Sequence, residues 1–392
     1  VQPPLSVALT VEQLWQPVPG GSGTYIRELA GALLDRGDVE PYGVRARPAP
    51  APGGTEAPLG PPGLPVVTSR LPRAALYESW SRLRRPAVPG PPGAGDGTPG
   101  RSPAVVHATT WAVPPRSAPL VVTVHDLAFR RSPEHFTRRG VAFFERALEL
   151  TRREADVVVV PSEATRADAV AEGIGADRVQ VVPHGVRADA GARGRVPELR
   201  ERFRLERDYV LWCGAIEPRK NLGVLLDAYA RLLDEGSELD LVLVGPDGWG
   251  GAPSALTERL SALPPGRVHR TGQVSAADLQ AAYAGATVFC FPSLWEGFGM
   301  PVLEAQAHGV PVVTTAETSM AEVSGDGAVL VPAQDARAVA DGIAHALSHH
   351  EKLSAAALTN AAGYTWARSA ELHLDAYRDA AGTAPAGAVS HL

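Results

Sequence analysis

Two carboxylates, Glu296 and Glu304, stand eight positions apart in SLWEGFGMPVLEAQAHG (Ser293–Gly309). Between them lie Gly297, Phe298, Gly299, Met300 and Pro301. The apolar run TVFCFPS ends just before this stretch. A helix is expected to begin near Pro301, because proline is favoured in a first helical turn. Gly297 and Gly299 would let backbone amides approach a ligand closely. A carboxylate near a helix N-terminus can be a dipole partner and nothing more. That accounts for Glu304, but not for a second carboxylate and two glycines at the same strand end.

The next chemistry-bearing stretch is GAIEPRKNLG (Gly214–Gly223). The chain has 37 basic side chains, and only Lys220 and Lys352 are lysines. Arg219 and Lys220 lie between an apolar strand and a helix expected from Asn221. Helix N-termini favour anions. Arginine offers a planar fork of donors and lysine a compact point charge, a pairing that suits a diphosphate. A plain exposed basic loop is the alternative.

Two further strand ends carry candidates. PVPGGSGTY (Pro17–Tyr25) places Gly20, Gly21 and Gly23 in a turn rich in backbone amides. It lacks the G-x-G-x-x-G spacing, and the chain has no G-x-x-x-x-G-K-[ST] loop, so dinucleotide and P-loop readings lose support. His125, followed by Asp126, closes LVVTVHD. His107 and His184 occupy comparable ends and compete for the same role.

These loops need elements to hold them. The chain repeats a pattern of short β-branched apolar run, loop and helical run, which implies parallel sheets covered on both faces. LSVALTV, AVVHAT, LVVTVHD, DVVVVPS and RVQVVPHGV form the first set of strands. The helix TYIRELAGALLDRG turns Ile26, Leu29, Ala30, Leu33 and Leu34 to one side, with Gly37 at its end. After a polar linker near 191–207, YVLWCGA, LDLVLVG, RVHRTG, TVFCFPS and VPVVTT form the second set. There NLGVLLDAYARLLDEG is a helix with Leu222, Leu225, Leu226, Tyr229, Leu232 and Leu233 inward. The expectation is two successive doubly wound α/β domains with a boundary near residue 200. Ligands bind such sheets at the carboxyl ends of the strands, and the cleft between two domains is the default site. Arg45–Pro65 and Arg84–Pro103 are rich in proline and glycine and are expected to be surface excursions without helix or central strand.

At 392 residues two domains are expected. A net charge of −6 argues against general nucleic-acid binding. Residues 1–200 hold 24 basic against 20 acidic side chains, and the remainder 13 against 23. The basic half suits an anionic acceptor or a membrane surface, with scattered solvated arginines as the plainer reading. Cys213 and Cys290 both fall in apolar runs, which argues against a disulfide framework or a zinc site and points to a reducing cytoplasm. No run long enough to span a membrane and no signal-peptide pattern is present.

Taken together, GGSGTYIRELAGAL, HDLAF, GAIEPRKNL, LVLVGPDGW and EGFGMPVLEAQAHGVPVV resemble, in order, the motifs of the retaining nucleotide-sugar glycosyltransferases of the GT-B fold. The likeness is to the family 4 type, which includes phosphatidylinositol mannosyltransferases and sucrose synthases. Its most specific mark is Glu296 and Glu304 with seven residues between. The resemblance implies two Rossmann-like doubly wound domains facing each other across a cleft. It divides the chain into 1–200, binding acceptor, and 201–364, binding donor, with a helix and tail over 365–392 crossing back to the first domain.

The resemblance also implies the site. Arg219 and Lys220 would grip the donor diphosphate, Glu304 the ribose, and Glu296 the transferred sugar. The backbone of Gly297, Phe298, Gly299, Met300 and Pro301 would fix the sugar hydroxyls. Gly214 and the Gly272–Val274 backbone would contact the donor, Gly21 and Gly23 would close on the diphosphate, and His125 would bond the sugar near its anomeric carbon. No cofactor is implied beyond the nucleotide-sugar co-substrate, and no D-x-D occurs, in keeping with the fold's usual lack of a catalytic metal. HDLAF followed by SPEHF looks like members using GDP-mannose, with UDP-sugars next. The acceptor would be a hydroxyl of a saccharide, lipid or metabolite, reached in the cytoplasm or at the inner face of the membrane. The Pro/Gly segments are unlike the family's shorter loops, and VVPHGV has His184 where many members carry asparagine. A nucleotide-sugar epimerase and an inactive sugar-binding module are the alternatives. A phosphorylase would need a lysine for pyridoxal phosphate, and this chain has two lysines, one already committed.

Overall fold

The computed structural model describes residues 3–16, 19–48, 61–92, 102–246 and 254–382. The chain forms two compact units. The first comprises Val1–Gly185 and Trp366–Leu392, the second Val186–Thr365.

The first unit holds seven parallel strands: β1 (Leu5–Thr10), β2 (Val39–Arg47), β3 (Val66–Pro72), β4 (Val105–Ala108), β5 (Leu120–Thr123), β6 (Val157–Val160) and β7 (Val179–Val181). Their order is β3-β2-β1-β4-β5-β6-β7. The second unit holds β8 (Tyr209–Cys213), β9 (Asp240–Val244), β10 (Val268–Gly272), β11 (Val288–Phe291), β12 (Val312–Thr315) and β13 (Ala328–Val331), ordered β10-β9-β8-β11-β12-β13. Every pairing is parallel. Each sheet thus reverses direction once, between β1 and β4 in the first and between β8 and β11 in the second. Loops leaving the carboxyl ends of those strand pairs flank a crevice where ligands bind in this architecture.

Continuous apolar strands produce this arrangement because helices cover both faces. All four valines of β6 are buried, as are all five residues of β8. Helices named below are α1 (Gly20–Leu34), α2 (Arg138–Glu154), α3 (Ala192–Phe203), α4 (Leu222–Asp234), α5 (Ala276–Gly285), α6 (Met300–Ala307) and α7 (Trp366–Ala380). In α4, Leu222, Leu225, Leu226, Tyr229 and Leu232 are buried against the second sheet. Each such leucine contributes roughly 1.5–3 kcal/mol. The final helix, α7, belongs to the first unit and lies against α1, β5 and β6.

Three expectations need correction. The division falls after Gly185, not near residue 200. The polar stretch read as a linker folds as α3, which buries Ala192 and Leu199 and packs on α5 of the second unit. Secondly, the first Pro/Gly excursion begins later than Arg45, since Arg45–Arg47 completes β2. The Arg45 guanidinium lies 4.1 Å over the Trp15 ring, and Ala46 donates its backbone N–H to Glu12 at 2.9 Å. Residues 49–60 and 93–101 of the two excursions lie outside the described residues. Thirdly, the glycine-rich turn is not a loop. Gly20, Gly21 and Gly23 form the first turn of α1, drawn into helix by the buried face of Tyr25, Ile26, Leu29 and Leu33.

Candidate active site

The loop after β8 and the loop after β11 meet at the second unit's switch point. Residues Pro218–Lys220 make one tight turn, and Asn221 follows in a left-handed conformation (φ 54°). Asn221 holds that turn by donating its side-chain amide to the carbonyls of Pro292 and Ala333. The carbonyl of Arg219 accepts from the Leu294 N–H at 2.8 Å, and the Ser293 hydroxyl oxygen lies 3.0 Å from it. Lys220 therefore stands in the turn before α4, one residue ahead of the expected helix start.

This stitching brings four charges together, Arg219, Lys220, Glu296 and Glu217, the last accepting from Arg219 Nε at 3.0 Å. Lys220 Nζ donates to Glu296 Oε1 at 2.6 Å, and Arg219 Nη1 lies 2.8 Å from Glu296 Oε2. Ser293 Oγ also donates to Glu296 Oε1, at 2.7 Å. Lys220 is 8% exposed, and its ammonium sits 4.7 Å from the centre of the Phe291 ring. Burial pushes the Glu296 carboxyl up, but Arg219, Lys220 and the two hydrogen bonds outweigh it and bring it to about 2. The loop is closed from behind by Ser319 Oγ, which donates to the Glu296 carbonyl at 2.6 Å, and by Thr315 Oγ1, which donates to that of Ser293 at 2.9 Å.

Past Glu296, Gly299 takes φ 101° and caps α6; a Cβ there would lie 2.7 Å from Met320 Cγ. Phe298 is buried with Leu303 and Val323, and Met300 packs beside them. Their side chains therefore anchor the loop, and the backbone is what they can offer a ligand. Pro301 lies in the first turn of α6, as expected. Glu304 lies one turn in. Tyr283 of α5 donates its hydroxyl to Glu304 Oε2 at 2.8 Å, and Cys213 Sγ stands 2.7 Å from that hydroxyl. Burial raises the Glu304 carboxyl, opposed by the Tyr283 hydrogen bond.

A cavity of about 340 Å³ opens at the carboxyl ends of β8, β9 and β10. Trp212, Ile216, Leu243, Val244, Arg270 and Gly272 line it. Gly272 belongs to it, whereas Val274 packs against the core. At its floor Gly245 passes so close to Gly214 that a Cβ would sit 2.0 Å from the Gly214 carbonyl oxygen. The Gly214 N–H is already donated to Val244, so this residue offers a ligand space rather than a hydrogen bond.

At the first unit's switch point the groups that meet are threonines and a histidine. Thr109 donates its N–H to Thr10 Oγ1 at 3.0 Å. His125 Nε2 donates to the Thr109 carbonyl at 2.9 Å, and its ring meets Tyr25 edge-on at 4.8 Å. Burial lowers the His125 pKa and holds His107 and His184 well below the usual imidazole range. His107 and His184 are core residues rather than rivals at an open edge.

A buried hydrogen-bond chain fixes the tautomers here. His373 Nδ1 lies 2.7 Å from the Ser369 carbonyl, which can only accept. His373 Nε2 must then accept from the Tyr25 hydroxyl at 2.8 Å. Tyr25 accepts from Thr123, Thr123 from His107 Nε2, and His107 Nδ1 from Tyr377. One directed chain thus ties α7 to α1, β5 and β4. Gly21 and Gly23 lie in the first turn of α1, just ahead of Tyr25, Gly21 exposed and Gly23 buried.

The structure therefore joins Arg219, Lys220 and Glu296 directly, places Glu304 on the adjoining helix, and leaves His125, Gly21 and Gly23 in the other unit. Ser293, Ser319, Tyr283 and Cys213 were not anticipated. Ser293 alone had a signal, as the hydroxyl closing the strand before Glu296. No group of three or more histidine, cysteine or acidic side chains that could hold a metal occurs among the described residues.

Comparison with known proteins agrees with this architecture. The family described as Glycosyl transferases group 1 matches residues 207–349, and Glycosyltransferase Family 4 matches residues 19–190. The chain is 30% identical over 283 residues to O-antigen chain mannosyltransferase B of Escherichia coli, covering 70% of this chain and 74% of the relative. It is 31% identical over 412 residues to the D-inositol 3-phosphate glycosyltransferase of Geodermatophilus obscurus, covering 92% and 85%. HepE of Anabaena, solved with UDP and glucose, shares the fold with a TM-score of 0.68 at 18% identity over 94% of this chain and 98% of HepE. The chain belongs to the GT-B glycosyltransferases of this family, resembles their bacterial mannosyltransferases, and is a glycosyltransferase.

Proposed function

We propose that the protein transfers a hexosyl group, with mannose favoured, from a nucleotide-sugar donor to a hydroxyl acceptor, with retention of anomeric configuration and without a metal. The observation that carries this reading is the joining of Arg219, Lys220 and Glu296 at the second unit's switch point. A buried lysine and a half-buried arginine at a strand end suit a diphosphate, and the carboxylate between them suits a sugar hydroxyl. As the glycosyl C1–O bond breaks, its electron pair moves onto the terminal phosphate of the departing nucleoside diphosphate. Arg219 and Lys220, fixed before the reaction begins, stabilise that growing charge more than they stabilise the bound donor.

The acceptor oxygen attacks C1 from the face the phosphate leaves, through an oxocarbenium-like state, and its proton passes to the leaving phosphate oxygen. Front-face attack is preferred over double displacement because Glu217 and Glu296, the neighbouring carboxylates here, are both held by Arg219. The nucleobase occupies the cavity beside Trp212 and Gly272, and Glu304 takes the ribose hydroxyls. His125, Gly21 and Gly23 are assigned to the sugar and diphosphate on the resemblance alone.

GDP-mannose is the favoured donor, supported by the mannosyltransferase relative and by HDLAF–SPEHF; UDP-sugars come next. The inositol-phosphate relative supports a second reading, in which the acceptor is a small phosphorylated polyol. We place the reaction in the cytoplasm, where Cys213 and Cys290 stay reduced as the free, buried thiols seen here. No helix among the described residues is long and apolar enough to cross a membrane; a peripheral membrane contact through the first unit is part of this proposal.

The test is to supply GDP-mannose and UDP-glucose separately, with EDTA, to a mannosyl oligosaccharide and to inositol 3-phosphate. Nucleoside diphosphate release and product configuration are followed by NMR. Acceptor-dependent release from one donor, with retained configuration, is expected. Donor converted to a different nucleotide sugar without acceptor would instead establish an epimerase. Binding without turnover of either donor would leave a sugar-nucleotide binding module.

A further inference from the structure

We infer that Tyr283 is a positioning residue for the donor's ribose: it holds one oxygen of Glu304 so that the other is aimed at the ribose diol. The inference rests on the assignment of Glu304 to the ribose.

Three elements converge to build this arrangement. Cys213 is the last residue of β8, Tyr283 lies near the end of α5, and Glu304 stands one turn into α6. Tyr283 has no exposed surface, and His308 stacks on its ring, 6.3 Å between centroids and 12° between planes. His308 is held in turn by a 2.8 Å hydrogen bond to Gln280. The phenol is therefore locked by packing and cannot swing aside.

The protons can be placed. Burial raises the Cys213 thiol to about 12 and the Tyr283 phenol well above its usual range, so both keep their hydrogens. Tyr283 gives its hydrogen to Glu304 Oε2, the only acceptor in the set that carries full charge. The thiol then donates to the phenol oxygen. Among the described residues no other group bonds the Glu304 carboxylate. Its Oε1 is left for a ligand, and a ribose diol offers two hydroxyl donors. A carboxylate on a rotatable side chain loses freedom on binding such a diol; one already held by one oxygen loses less.

The experiment compares GDP with 2′,3′-dideoxy-GDP by calorimetry in the wild type, Tyr283→Phe, Glu304→Ala and Cys213→Ala. The wild type is expected to prefer the diol by at least about tenfold, the scale of one charge-assisted hydrogen bond. Glu304→Ala should abolish the preference. Tyr283→Phe should cut it to threefold or less while leaving dideoxy-GDP affinity unchanged, which a general loosening of the fold would not do. It should also raise the pH at which the preference disappears, because the phenol no longer favours the carboxylate form. Cys213→Ala, a milder cut in the same chain, should lower the preference two- to threefold if Tyr283→Phe does not fold.

An undiminished preference in Tyr283→Phe and Cys213→Ala, with its loss in Glu304→Ala, would overturn the positioning role alone. An undiminished preference in Glu304→Ala would overturn the ribose assignment, and the role of Tyr283 with it.

Discussion

At the switch point of the first sheet, β1 and β4 are joined by Thr10 and Thr109, and neutral histidines stand behind them. At that of the second, the loops after β8 and β11 are joined by two cations on one carboxylate. The strand order is the same, so topology creates the crevice but does not choose its chemistry. The first unit spends its polar groups internally, in a chain from Tyr377 to Ser369 in which every hydrogen has an acceptor. The second holds charge that a ligand can share. Arg219 and Lys220 are paired with Glu296, so on the proposed reading a diphosphate would compete with Glu296 for them. The cations are thereby kept in place without being left buried and unpaired, which would be costly.

Substitution of Lys220 should have the largest effect. Lys220→Ala leaves Glu296 buried with one cation fewer. Stability should fall by about 3 kcal/mol or more, and turnover at saturating donor by about a hundredfold. Urea unfolding and steady-state kinetics measure the two losses. Glu296→Gln sharpens the idea of competition. It should tighten bare GDP several-fold, to about tenfold, because the diphosphate no longer displaces a carboxylate, while donor turnover falls. Calorimetry beside an activity assay reads both, and weaker GDP binding in this variant would refute the competition.

Acid should separate the two units. His373 is held at about 4 by burial, against an ordinary value of 6.5. Its unfolded form binds a proton first, so its contribution is complete above pH 6.5 and is lost as pH falls toward 4. The shift is worth about 3 kcal/mol, and His107 and His184 act in the same direction. Glu296, at about 2 against 4.5, contributes fully above pH 4.5 and loses that only as pH falls toward 2. Glu304, raised by burial, runs the opposite way. Hydrogen exchange between pH 7 and 4 should therefore show β4, β5 and α7 opening before β8 and β11. His373→Gln should flatten the trend in the first unit. The smallest effect is expected from Thr123→Val, which breaks the chain between Tyr25 and His107 and should cost about 1–3 kcal/mol without changing GDP affinity.

The strands were legible because they are short, continuous and buried on both faces, as in β6 and β8. So was the approach of the Arg219–Lys220 loop to the Glu296 loop, because both leave strand ends of one parallel sheet. Helix α3 was hidden by its charge: only Ala192 and Leu199 are buried, and its partner α5 lies far along the chain. The glycines of α1 read as a loop because local propensity favours one, while the helix is set by the packing of Tyr25, Ile26 and Leu29. Tyr283 gave no local signal at all. It lies in an alanine-rich helix, and its partners, Cys213 and Glu304, are 70 and 21 positions away. The neutralisation of Lys220 was equally hidden, since a rare lysine at a strand end looks the same whether or not a carboxylate 76 residues on reaches it.

The most direct test titrates GDP into the wild type, Lys220→Ala and His125→Ala by calorimetry at one salt concentration. If the second unit alone carries the charge that holds the diphosphate, Lys220→Ala should weaken GDP at least thirtyfold and His125→Ala should leave it unchanged within twofold. Equal weakening by both substitutions, or none by Lys220→Ala, would contradict the account.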